Sequence, residues 1–278
     1  VAIEPEHLDR SGRELAATLK QLRKQAGLSG VRLAVRCNMS QSKISRIEGN
    51  KSRPSLVDVE QLLRGLDAPA EVAARVMELA RVTQTEWQDG RALRRKGIDK
   101  KQLQLAALEA SSSTFRYFML SMTTGLLATP EYVRASLSQA PAEQQAKAVA
   151  MKLERQHVLF DRSKRFTFLL TEHAVRYPLV PPDLLALQID RLASLSHQPN
   201  IRIGVIPSGT HYTSGALNTF TVYDESLATA ELDLGAIVFR DRRDVEELIR
   251  RFTGYESHAL FGDLAREHLA AWAGECRS

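Results

Sequence analysis

Between Lys20 and Arg53 the chain carries nine basic residues, Lys20, Arg23, Lys24, Arg32, Arg36, Lys43, Arg46, Lys51 and Arg53, against one acidic residue, Glu48. A local excess of this kind suits a polyanion. Neutralising phosphates releases condensed counterions, and that release supplies most of the non-specific affinity for nucleic acid. Inside the run lie Gln41, Ser42, Ser45 and Arg46, side chains whose chemistry is the donating and accepting of hydrogen bonds.

The remainder offers less reactive chemistry. His173, His211, Glu172 and Asp161 could serve as acids and bases if they met, yet no nucleophile elbow, phosphate loop or metal-spaced histidine pair accompanies them. The expectation is a chain that is not an enzyme and that takes no cofactor and no metal. The stretch from Pro207 to Gly215 is polar and glycine-containing. It reads either as an ordinary connection or as part of a pocket for a small molecule or peptide using Glu172, His211 and Tyr212. Cys37 and Cys276 are too distant in sequence to match a zinc spacing and make no disulfide framework. A cytoplasmic, reducing environment is expected.

The elements that must position these side chains follow from periodicity. Ser11-Gly12-Arg13-Glu14 has the form of a capping box, ahead of an apolar stripe at Leu15, Leu19, Leu22 and Ala26 that ends at Gly27. A short helix is expected from Leu28 to Cys37, a turn at Asn38, and a third helix from Ser40 that buries Ile44 and Ile47 and stops at Gly49-Asn50. Ser55 with Asp58 caps a fourth helix, carrying Val59, Leu62, Leu63 and Leu66. Pro69 opens a fifth, with Val72, Val76, Leu79 and Val82.

Residues 85–101 are polar and basic and read as a linker. Helices are then expected over Leu103–Leu127, Pro130–Leu137, Pro141–Asp161 and Leu184–Leu195. The apolar stripe from Phe115 to Leu127 is read as core or dimer interface. Strands are expected at Phe166–Leu170, Ile201–Ile206, Phe220–Tyr223 and Ala236–Phe239, and closing helices at Asp244–Phe252 and His258–Trp272.

The second and third helices meet the demands of a helix-turn-helix. Ala34 is small where the two helices cross, and Asn38 tolerates the left-handed backbone that the turn requires. Ile44 and Ile47 face inward, with Leu33, Cys37 and Met39 completing the shared core. Gln41, Ser42, Ser45 and Arg46 remain on the outward face near the helix N-terminus, where a groove-bound helix presents its side chains to base edges.

Residues 10–66 resemble the Cro/CI-like (XRE-type) DNA-binding domains of phage repressors and bacterial regulators. The resemblance rests on Leu33-Ala34, on Met39 through Glu48, and on Lys51-Ser52-Arg53-Pro54-Ser55. It implies a five-helix, lambda-repressor-like domain. Gln41, Ser42, Ser45 and Arg46 would contact bases, with Gln suited to adenine and Arg to guanine at roughly 1–3 kcal/mol of discrimination each. Ser29, Lys43, Lys51 and Arg53 would contact phosphates and fix register. It also implies a structural ion pair between Arg23 and Glu48. The chain departs from the pattern at Gly30, where Gln is frequent, and at Gly49-Asn50-Lys51, where Asn-Gly-Lys is commoner.

The rest of the chain resembles the C-terminal domain of a group of actinobacterial, antitoxin-like regulators. The matching segments are Gly125 through Tyr132, Arg155 through Leu159, Thr171 through Arg176, Gln188 through Leu195, Pro199 through Ile203, Ile206-Pro207 and Gly215-Ala216-Leu217. Thr124 and Ala128 depart from that group, which usually has Pro and Gln there. This resemblance implies control by a small protein encoded by a neighbouring gene, or by another signal.

Charge is divided unevenly, with a balance of +4 over residues 1–84, +3 over 85–101 and −2 over 102–278. The expected layout is an all-α DNA-binding domain over 10–84, a basic linker over 85–101, and a helical plus α+β domain with a small sheet over 102–278. At 44% hydrophobic and 26% charged residues the composition is that of a globular protein. No apolar run approaches the roughly 18 residues that span a bilayer, and Glu4, Glu6 and Asp9 do not suit a secretory signal. The expected function is a sequence-specific, nucleoid-associated transcriptional regulator that binds a pseudo-palindromic operator in double-stranded DNA as a homodimer. The alternative is an antitoxin-like protein that neutralises a small cognate protein and binds DNA for autoregulation.

Overall fold

A computed structural model describes residues 5–89, 98–138, 142–212 and 215–278. The chain divides into two compact units, Val1–Trp87 with Ile237–Asp241, and Gln88–Ala236 with Arg242–Ser278. No helix among the described residues is long and apolar enough to cross a membrane.

The first unit contains the helices α1 (Pro5–Gln25), α2 (Gly30–Arg36), α3 (Gln41–Glu48), α4 (Leu56–Gly65) and α5 (Ala70–Thr83). Their inward residues form one core: Leu15 and Leu19, Leu33, Ala34 and Cys37, Ile44 and Ile47, Val59, Leu62, Leu63 and Leu66, and Val76 and Ala80. The box at Ser11 does not start the first helix, because α1 already runs from Pro5 and passes through Ser11. Ser55 does cap α4. Its Oγ accepts from the Asp58 N–H at 3.1 Å, and the Asp58 carboxylate accepts from the Ser55 N–H at 3.1 Å.

α2 and α4 approach closely at Gly65. A Cβ there would collide with Cys37 Sγ, so any side chain at 65 requires the buried Cys37 to shift. Beyond α5 the stretch read as a linker carries regular structure at both ends. Thr85–Asp89 is strand β1, and helix α6 begins at Ile98. The β-forming Thr85 and Trp87 favour the extended form, and β1 runs beside the strand β7 (Gly235–Phe239). Arg91, Arg94, Arg95 and Lys96 lie outside the described residues.

In the second unit α6 (Ile98–Ser111) leads into β2 (Thr114–Met119). The long helix expected over Leu103–Leu127 therefore ends at Ser111, and Phe115–Met119 is a strand. Its neighbours are β3 (Arg165–Thr171), parallel, and β5 (Phe220–Tyr223), antiparallel. With β4 (Ile201–Ile206) parallel to β3 and β6 (Leu227–Leu232) antiparallel to β5, five strands of this unit stand in the order β6-β5-β2-β3-β4. The strand β6 was not anticipated. Register is reinforced by stacked rings across β2 and β3, with Phe115 on Phe166 at 4.5 Å and Tyr117 on Phe168 at 4.8 Å between centroids. Such pairs add to area burial in fixing which residues lie opposite one another.

Helices α7 (Pro130–Ala135), α8 (Ala142–Arg155), α9 (Glu172–Arg176), α10 (Pro182–Leu195), α11 (Arg242–Glu256) and α12 (Gly262–Arg277) accompany the sheet. The segment Pro141–Asp161 is α8 followed by a 3-10 turn at Gln156–Phe160; Pro141 lies outside the described residues. Helix α12 packs along α10. Leu185, Ile189 and Leu192 on one and Ala265, Leu269 and Trp272 on the other are all buried, at the helical spacing that makes an apolar stripe.

Candidate nucleic-acid interface

Local capping defines both helices of the motif. Ser29 is the N-cap of α2, its Oγ accepting from the Arg32 N–H at 3.2 Å. Ser40 is the N-cap of α3, its Oγ accepting from the Lys43 N–H at 3.2 Å. Between them Asn38 stands at φ 49°, and the Met39 N–H returns to the Ala34 carbonyl at 2.9 Å. A residue in the left-handed region lets the chain reverse without a longer loop. Asn50 takes the same conformation after α3, at φ 51°. In Gly49-Asn50 it is therefore the asparagine that makes the turn.

On α3, Ile44 and Ile47 are each 2% exposed, while Gln41, Ser42, Ser45 and Arg46 are exposed. The helix has no acidic residue of its own in its first turn. The Ser42 hydroxyl lies 3.1 Å from that of Ser40. Gln41 extends toward Gly30: its Nε2 is 3.9 Å from where a Cβ on Gly30 would stand.

The face is held from behind by Arg23 and Glu48. Arg23 donates from Nε to Glu48 Oε1 at 2.6 Å, from Nη2 to Oε2 at 2.8 Å, and from Nη1 to the Leu28 carbonyl at 2.7 Å. The pair joins α1 to α3 with side chains 14% and 11% exposed. The side-chain hydrogen bond from Arg23 to Glu48 is the main cause of a raised guanidinium pKa.

The residues expected at phosphates are placed differently from one another. Ser29 and Lys51 are exposed. Arg53 is exposed and donates to the Thr83 carbonyl at 3.3 Å. Lys43 is engaged within the fold: its Nζ donates to Asp58 Oδ1 at 2.6 Å. Burial works to raise the Asp58 carboxyl, but the hydrogen bonds from Lys43 and Ser55 outweigh it and hold the group below its usual range. Asp58 was legible as a cap; its hold on Lys43, fifteen residues earlier, was not.

The residues considered for a pocket in the second unit are tied to separate neighbours. Glu172 Oε1 accepts from Arg176 at 2.9 Å and Oε2 from the Ser208 N–H at 2.8 Å. Burial raises its pKa, and these bonds from Ser208 and Arg176 bring it below the usual value. Tyr212 packs edge-on against Tyr255 and His258, at 6.1 and 5.8 Å between centroids, and His211 is exposed. Thr213 and Ser214 of this loop lie outside the described residues.

Three of the matching segments of this unit meet at the loop before α7. Gln156 Nε2 donates to the Gly125 and Ala128 carbonyls, each at 2.8 Å. Gln188 donates to the Leu127 carbonyl at 3.1 Å and accepts from the Thr129 N–H at 2.7 Å. Arg191 donates to the Leu127 carbonyl at 3.1 Å and to Gln156 Oε1 at 2.6 Å. Buried backbone groups need such partners, and here side chains from two other segments supply them.

Comparison with known proteins agrees with this division. Residues 14–76 match the model of a helix-turn-helix domain, and residues 102–271 match that of a domain of unknown function, DUF5753. Among solved structures the chain is similar to TrmBL2, an archaeal chromatin protein whose structure shows a novel mode of DNA binding. Identity is 14% over 72% of this chain and 65% of that one, with a TM-score of 0.34. The present chain thus spans less than two thirds of that protein's length. No curated protein matches the chain. The second family match extends over more than half of the sequence: the chain belongs to the DUF5753 family and carries a helix-turn-helix domain at its N-terminal end.

Proposed function

We propose that this protein is a sequence-specific DNA-binding transcriptional regulator of the XRE type. The observation that carries the reading is the exposed set Gln41, Ser42, Ser45 and Arg46 on a helix whose opposite face is buried through Ile44 and Ile47. In this reading α3 enters the major groove with those four side chains toward the bases, while Ser29, Lys51 and Arg53 meet phosphates. The protein acts as a dimer, with two recognition helices about 34 Å apart on a pseudo-palindromic site. The second unit receives the controlling signal, a small partner protein or another ligand, and has a binding role, not a catalytic one.

The test begins with selection of bound sequences from random duplex DNA, followed by titration on the selected and a scrambled duplex. Arg46→Ala and Gln41→Ala should each lower the preference for the selected site by roughly tenfold, since one bidentate base contact is worth about 1–3 kcal/mol. Unchanged preference in both variants, or no enrichment of any sequence, refutes the reading.

A further inference from the structure

Lys43 and Asp58 make a contact for which a phosphate-binding role of Lys43 does not account. Lys43 is the third residue of α3, and a helix turns about 100° per residue. Taking Gln41 as origin, Gln41, Ser42, Ser45 and Arg46 centre near 70°, and Ile44 and Ile47 near 270°, in round numbers. Lys43 then falls at about 200°, nearer the buried side than the base-reading side. Its side chain is 41% exposed, and that of Asp58 is 15% exposed.

The Asp58 carboxylate has two engagements. Oδ1 accepts from Lys43 Nζ at 2.6 Å and Oδ2 from the Ser55 N–H at 3.1 Å. One carboxylate therefore closes the N-terminus of α4 and fastens the first turn of α3 to it. A short charge-assisted bond to a mostly buried acceptor is stronger than an exposed surface pair. It also neutralises a positive charge beside the groove-reading face.

We propose that Asp58 is a specificity-determining residue of the DNA interface, acting through Lys43. By holding the ammonium, Asp58 fixes how α3 is presented and keeps the Lys43 charge from phosphates, where it would strengthen binding to every sequence equally. Lys43 is a positioning residue in consequence. This inference rests on the proposed DNA-binding function, and the experiment separates the two.

The test measures affinity of the full chain for the selected and scrambled duplexes as a function of salt. Each phosphate neutralised contributes about 0.9 to the slope of log K against log salt, close to a 3.5-fold effect between 50 and 200 mM. In Lys43→Gln the slope should stay within about 0.3 of the wild type, while the preference for the selected duplex falls at least threefold, by order of magnitude. In Asp58→Asn, which keeps an acceptor for the Ser55 N–H, the freed Lys43 should steepen the slope by about 0.9 and tighten binding to the scrambled duplex. Lys43→Gln in the Asp58→Asn background should return the slope to the wild-type value, a change that loss of structure would not produce.

A slope about 0.9 shallower in Lys43→Gln, or an unchanged preference in it, overturns the proposal. If Asp58→Asn does not fold, Lys43→Gln decides alone. If the wild type itself shows no sequence preference, the DNA-binding reading fails. If the wild type is selective and the Lys43→Gln slope drops, only the present inference fails.

Discussion

Glu48→Ala tests whether α3, the proposed recognition helix, is held by the ion pair behind it. The substitution removes two of the three hydrogen bonds of Arg23, those at 2.6 and 2.8 Å, and leaves the one to the Leu28 carbonyl. Breaking a buried pair by deleting one partner costs about 3–5 kcal/mol. With side chains 14% and 11% exposed, water reaches part of the stranded guanidinium, so the lower figure of about 3 kcal/mol applies. The chain has two units, and a single unfolding free energy for the whole is ill defined. Hydrogen exchange followed by peptide mass analysis is the appropriate assay. Amides of α1 and α3 should exchange about 100-fold faster, because each 1.4 kcal/mol is a factor of ten. Amides of β2 and β3 should not change. The double variant Arg23→Met with Glu48→Leu should recover part of the loss, since no charge is then left without its partner. An acceleration below about fivefold, or single effects that add within about 0.5 kcal/mol in the double variant, would refute the claim that the pair fastens α1 to α3.

Gly65→Ala should destabilise the first unit by about 1–3 kcal/mol through overpacking, since the new Cβ would collide with Cys37 Sγ. Thermal melting should show partial recovery when Cys37→Ala is added. Gln156→Leu should cost about 2 kcal/mol in the second unit by stranding the Gly125 and Ala128 carbonyls, visible as faster exchange in residues 125–133. The Asp58 carboxyl is held below its usual range in the folded state. Its contribution is thus complete above the unfolded value of about 3.9 and is lost as pH falls through the lower folded value. Asp58→Asn should flatten the acid limb of first-unit stability, and an unaltered limb would show that the group makes no such contribution.

Much of the helix-turn-helix was legible because its determinants are local. Ser40 caps the helix whose N–H groups follow it, Asn38 reverses the chain at its own φ, and Ile44 and Ile47 repeat at helical spacing. These features depend on residues within one or two turns, so a linear reading reaches them. The start of α1 was misplaced and β1 was not anticipated, for a related reason. A capping box shows where a helix can begin, and a polar stretch shows what water tolerates, but neither excludes a longer helix or a paired strand. Strand β2 was hidden by its position. The alternation of Thr114, Phe115, Arg116 and Tyr117 covers only four residues before Phe118 and Met119, both buried between neighbouring strands, so the segment reads as one apolar stripe rather than as a half-exposed strand.

What the linear order determined about this protein is a helix with Gln41, Ser42, Ser45 and Arg46 outward and two isoleucines inward, in a basic surrounding. What the tertiary structure alone decided is which charges are already engaged. Lys43 and Lys51 are the same residue type in one basic run, yet Lys43 is bound to Asp58 whereas Lys51 is exposed. Glu172 is likewise committed to Arg176 and the Ser208 backbone. The physical reason is that periodicity reports which side of a helix an atom faces. The partner it meets depends on which distant segment packs beside it, and only the folded chain specifies that.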